Sequence, residues 1–259
     1  MRHLFEKAFC CVICASFIAV LICLLGCNNE IGYITRSYYI DKEQETDNTP
    51  EKTQEHTKKK EKNLTKKCRK LYKNNPELLV LVNKDNPLKE DYDAGLMYIC
   101  NGRLQASSKL YNHLVEMLAD AAKEGYQYWI ASAYRNRQKQ QSLIDEDVRK
   151  LMNSGMSYES ALAEVYKETM PAGCSEHETG LALDILCSGN TNMDSSQENE
   201  PGNKWLKENC YKYGFILRYP SDKSNITGVN YEPWHFRYVG KTAAALIMKN
   251  NLTLEEFFF

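Results

Sequence analysis

The sequence has almost no surplus charge: 33 Lys and Arg stand against 34 Asp and Glu, a formal net charge of −1. No block of arginines is interleaved with aromatics, which argues against a nucleic-acid partner. No internal repeat and no regular βαβ alternation run through the chain, so a solenoid or doubly wound parallel sheet is not indicated. Histidine is scarce. Of five, His3 and His56 lie before the folded part, leaving His113, His177 and His235 within it. What is present is a hydrophobic fraction of 43% and a charged fraction of 26%, the balance of a globular protein.

The N-terminus reads as an export signal. Arg2 and Lys7 precede an uncharged apolar run over residues 8–26, which ends in LLGC at Leu24 to Cys27. Cleavage before a lipidated Cys27 is one reading, since the small Gly26 and Leu24 resemble the bacterial lipobox; an uncleaved anchor helix over 1–27 is the other. Both tether the chain outside the cytoplasm, on the bacterial cell membrane. Residues 28–67, almost without apolar side chains from Asp41 onward, read as a disordered charged linker. Beyond the signal stand Cys68, Cys100, Cys174, Cys187 and Cys210, none at CxxC spacing. An oxidising exterior allows one or two disulfides among them, and the odd count leaves a thiol free.

The folded part is expected over residues 68–259. Leu104, Leu110, Leu114, Met117, Leu118 and Ala121 recur mostly at helical steps and stop before Gly125. YWIAS at Tyr128–Ser132 reads as a strand, residues 138–152 and 158–167 as helices, and LALDIL at 181–186 as a strand. A helix over 204–213 stops at Gly214, FILRY and HFRYV read as strands, and residues 241–249 as a helix. The class is α+β: a small, mainly antiparallel sheet with packed helices, and a metal site on the sheet. Residues 152–171 read as a flap over that site.

The chemistry concentrates in CSEHETGLALD (174–184) and EPWH (232–235). On the first strand Asp184 lies on the face opposite Leu181, Leu183 and Ile185. Pro233 argues against a helix at the second, so Glu232 and His235 are not a helical HExxH pair. His113 has no companion at ligand spacing and reads as packing. His177, Asp184 and His235 supply two imidazoles and one carboxylate, the ligands of an open catalytic zinc, with Glu232 free beside them as a general base. The same ligand types also serve non-haem iron oxygenases, but those usually bring His-x-Asp and give Glu232 no task. A purely structural metal needs a fourth protein ligand, for which Cys174 is near enough to consider.

SAYRNRQKQQ (132–141), SEHETGLALD (175–184) and EPWHFRYVG (232–240) resemble the three blocks of the VanY-type D-alanyl-D-alanine carboxypeptidases, SxHxxGxAxD followed by ExxH, and LVNKDNPL (81–88) resembles their opening segment. Ala133 departs from the glycine common at its place. The resemblance implies Zn²⁺ held by His177, Asp184 and His235, Glu232 as base, and Arg135, Gln140 and Ser175 lining a substrate pocket. It implies removal of a terminal D-alanine from peptidoglycan stem peptides by a monomer, with L,D-cleavage of tetrapeptides or endopeptidase action on cross-links as the rivals. A wall-binding lipoprotein with a structural metal is the non-enzymatic alternative.

Overall fold

Among the described residues six short runs form strands. The computed structural model describes residues 50–258, with side chains from residue 58 onward. The export segment 1–27 with Cys27, and the linker before Pro50, lie outside the described residues. In chain order come helix α1 (Pro50–Asn74), strands β1 (Leu96–Ile99) and β2 (Leu104–Ser107), helix α2 (Ser108–Lys123) and β3 (Tyr128–Ser132). Helices α3 (Arg137–Asn153) and α4 (Tyr158–Val165) follow, then β4 (Ala182–Cys187), α5 (Pro201–Asn209), β5 (Phe215–Leu217), the single-turn α6 (Ser224–Thr227), β6 (His235–Tyr238) and α7 (Lys241–Asn250). Contacts divide the chain at Glu61 and Lys62, and the site belongs wholly to the unit Lys62–Phe259.

β3, β4, β6 and β5 lie side by side in that order, with every neighbouring pair antiparallel, while β1 and β2 form a separate antiparallel hairpin. This is the expected α+β architecture. The main core joins Ile130, Leu183, Ile185 and Phe236 of the sheet to Leu110, Leu114, Met117 and Ala121 of α2 and to Leu206 of α5. Fully burying such a side chain stabilises by roughly 1.5–3 kcal/mol, which fixes the strand register from below.

The structure differs from the sequence reading at two elements. Helix α2 starts at Ser108 and not at Leu104, because Leu104–Ser107 pairs with β1; strand pairing overrides the helical step. The linker expected as far as Lys67 is crossed by α1. Leu64, Cys68 and Leu71 form a stripe at helical spacing that joins a second core with Ala243, Ala244 and Ile247 of α7 and with Leu254 and Phe257, and the surrounding lysines concealed that stripe. Residues 152–171 reach the site as expected and are packed: Ala161 and Val165 of α4 lie on Ile144 and Val148 of α3, while Glu168, Thr169 and Met170 line the cleft above the metal donors. Among the described cysteines all five are free thiols.

Candidate active site

Strand register brings the chemistry together. Asp184 on β4 lies directly opposite His235 on β6, with Ser132 of β3 on its other side. His177 enters from a 3₁₀ turn, Glu176–Thr179, that ends at Gly180 in the left-handed region, φ +69°. A Cβ at Gly180 would stand 2.9 Å from the Ser107 backbone nitrogen, so only glycine both turns the chain and lets it pass β2 this closely.

His177 Nε2 lies 3.3 Å from Asp184 Oδ2, and His235 Nδ1 lies 3.3 Å from Asp184 Oδ1. All three residues are buried, and their donor atoms lie within 4.8 Å of one another. His177 Nδ1 is 2.6 Å from the Ala133 carbonyl oxygen. A carbonyl only accepts, so Nδ1 carries the proton and the Nε2 lone pair turns inward. His177 Nε2 and Asp184 Oδ1 have no hydrogen-bond partner in the protein. Buried donors left unspent are costly, and these two, converging with His235 Nδ1 on one point, fit a divalent ion of borderline softness such as zinc. Cys174 does not join them; it packs beside Met170, Tyr219 and Val229.

Glu232 sits at the approach to β6, its backbone N–H donating to the Tyr219 carbonyl. Its Oε2 is 3.4 Å from His235 Nδ1. Burial lifts its pKa to about 8, against the pull of His235. Burial also acts on the two imidazoles, with opposite results. In His177 burial and the Arg135 charge lower the pKa to about 4. In His235 the carboxylates of Asp184 and Glu176 outweigh burial and raise it to about 9.

A cleft of about 200 Å³ opens over these groups, and Arg135, Ser175, Glu168, Met170, Tyr219 and Trp234 are among its lining residues. Arg135 follows β3, with Nη1 3.9 Å from Asp184 Oδ2. Ser175 is buried at the cleft wall. Gln140 is not brought to the cleft: its side chain is fully buried, and Nε2 donates to the Met170 carbonyl at 2.7 Å, holding a residue that does line it.

The sequence reading missed Glu176. This carboxylate accepts from Arg218 Nε and Arg237 Nη1, each at 2.7 Å and both on Oε1. Burial alone would raise its pKa, but the two guanidinium groups outweigh burial and hold it well below the usual carboxylate range. Arg218 also forks onto both oxygens of Glu255, and Arg237 donates to the carbonyls of Leu78 and Val80. Arg218 and Arg237, charged residues inside the apolar runs FILRY and HFRYV, were the available signal for a buried acid.

The family model described as VanY, D-alanyl-D-alanine carboxypeptidase, matches residues 103–241, a span holding all the groups above except Glu255, Leu78 and Val80. The chain belongs to this family. A D-alanyl-D-alanine carboxypeptidase of Enterococcus faecalis is 42% identical over 181 residues, 69% of this chain and 65% of the relative, so the chain spans just under two thirds of that protein's length. A mutant of the vancomycin-resistance D,D-pentapeptidase VanY, solved in complex with Zn(II), superposes with TM-score 0.65 at 38% identity over 71% of this chain and 99% of that one. VanYB solved with D-alanine-D-alanine gives TM-score 0.64 at 39% identity, covering 70% and 96%. The LdcB LD-carboxypeptidase gives 0.61 at 35%, covering 71% and 87%. Family membership and the convergent donors agree on Zn²⁺ as the cofactor.

Proposed function

We propose that the chain is a zinc metallopeptidase that removes the C-terminal D-alanine from peptidoglycan stem peptides ending in D-Ala-D-Ala. The observation that carries this reading is Glu232, a buried carboxylate beside three convergent metal donors and open to the same cleft as Arg135. His177, Asp184 and His235 would hold the zinc ion, which would supply Lewis acidity to the cleft. Glu232 accepts the proton of the attacking water and delivers it to the amine of the departing D-alanine. Arg135 offers its fork to the substrate's terminal carboxylate, which would make the enzyme act on chain ends.

Likeness to the LdcB LD-carboxypeptidase favours one second reading, cleavage of a tetrapeptide stem. Mass spectrometry of pentapeptide and tetrapeptide stems incubated with the protein separates the two: loss of one alanine from the pentapeptide supports the D,D reading, and loss from the tetrapeptide alone replaces it. Glu232→Gln should retain zinc and lose turnover by about 10² or more, since general-base catalysis typically contributes about 10²–10⁴. Normal turnover with zinc bound would remove Glu232 from the mechanism.

We also propose that the protein works as a monomer, outside the cytoplasm and tethered through the apolar run 8–26 or a lipid on Cys27; the composition of that run supports the tether. Among the described residues no helix is long and apolar enough to cross a membrane. Labelling with a radioactive fatty acid, lost in Cys27→Ser, would distinguish the lipid from the anchor.

A further inference from the structure

The two imidazoles of the centre meet the metal position with different nitrogens, and each needs its other nitrogen held. For His177 the holder is a backbone carbonyl, Ala133 O at 2.6 Å from Nδ1. For His235 the inward nitrogen is Nδ1, which faces Asp184 and Glu232. Its outer nitrogen, Nε2, has no hydrogen-bond partner in the protein, and neither does Oε2 of Glu176; these two orphaned atoms lie 3.5 Å apart. Both residues are at least nine-tenths buried.

Glu176 is loaded unevenly. Oε1 takes both arginine contacts at 2.7 Å, while Oε2 is left to face the imidazole alone. A neutral imidazole carries one N–H, and a carboxylate that accepts it at Nε2 leaves the lone pair on Nδ1. We infer that Glu176 is a positioning residue of the metal centre: anchored by Arg218 and Arg237, it holds His235 through Nε2–H and so presents Nδ1 to the ion. This rests on reading the site as a zinc centre, and it gives the arginine pair a purpose beyond neutralising a buried acid. Two fully buried guanidinium groups are an expensive way to fill space, whereas they fix the plane of a carboxylate that must point one oxygen at one nitrogen.

The test is zinc affinity by competition with a chromophoric chelator, together with the ¹⁵N and ¹H signals of the His235 ring in the zinc-loaded protein; five histidines make that spectrum assignable. Three variants serve it: Glu176→Gln, Glu176→Asp, and Glu255→Gln, which disturbs the same arginine network without facing an imidazole. Glu176→Gln should weaken zinc binding about 10- to 100-fold, the usual cost of losing such an outer partner. Glu176→Asp should recover part of that loss, and Glu255→Gln should weaken binding far less than Glu176→Gln. The wild-type ring should show Nε2–H and a metal-bound Nδ1. Unchanged affinity in Glu176→Gln, equal losses in Glu255→Gln, or a proton found on Nδ1 of wild-type His235 would each overturn the inference. Because the wild-type spectrum needs no variant, a misfolded Glu176→Gln still leaves a decision. Failure of the wild-type protein to bind zinc at all, with His177→Ala indistinguishable from it, would instead reject the zinc reading beneath.

Discussion

Arg135 sits in the cleft with its side chain one-fifth exposed and its Nε without a protein partner, while Nη1 stays 3.9 Å from Asp184. Part of its fork is therefore unspent. A charge-assisted hydrogen bond contributes about 1.5–3 kcal/mol, roughly ten- to a hundred-fold in affinity. Arg135→Ala should lose that factor in kcat/KM on peptides with a free C-terminus and lose little on the same peptides amidated; equal losses would shift its role to the oxyanion. Glu176 gives a prediction of a different kind. Its folded pKa is depressed from an ordinary 4.5, so its contribution to stability is present above that value and is lost as pH falls below it. Thermal melts in chelator should show Glu176→Gln less stable than wild type at pH 7, the gap closing as pH falls below about 4.5. A gap that widened in acid would mean that the carboxylate is not held ionised.

Elements decide where those residues meet. The turn Glu176–Thr179 must deliver His177 and then hand the chain to β4 within a few residues, and Gly180 allows it. Gly180→Ala imposes a left-handed strain and a contact of 2.9 Å on the Ser107 nitrogen; it should destabilise the fold by about 1–3 kcal/mol and weaken zinc binding along with it, as melts with and without zinc would show. This level also explains what could be read beforehand. His177, Asp184, His235 and Glu232 were legible because histidine is scarce and because the strands containing Asp184 and His235 alternate clearly. Glu176 was not. It lies among polar neighbours in SEHETG, and a 3₁₀ turn has no periodicity to show which side chain goes inward. The arginines were visible as oddities in apolar strands, but Arg237 and Arg218 reach Glu176 across 61 and 42 residues of chain, a pairing no local pattern encodes. Gln140 fails in the opposite sense: the family resemblance named it for the pocket, and burial of α3 against Met170 turned it inward. The part of helix α1 before Cys68 was read as linker because the lysines around it hide Leu64, the first residue of the stripe that Cys68 and Leu71 continue.

At the scale of the whole molecule, zinc should act as a folding ligand. An ion that binds only the folded chain stabilises it by RT ln(1 + [L]/Kd), about 2.7 kcal/mol at a hundredfold excess over Kd. For a domain of this size that is roughly 5–10 °C in Tm. Calorimetry with excess zinc and then with chelator should show a shift of that order in wild type and in Glu232→Gln, and almost none in His177→Ala. An unchanged Tm in wild type would mean that the three donors do not take the ion.

The bidentate clamp from Arg218 to Glu255 has a consequence in time rather than space. Ribosomal synthesis makes His177, Asp184 and His235 before it makes Glu255. Until Glu255 joins the fold, Arg218 has the Glu176 carboxylate but not its clamp. A nick near residue 255 would return a mature molecule to that condition.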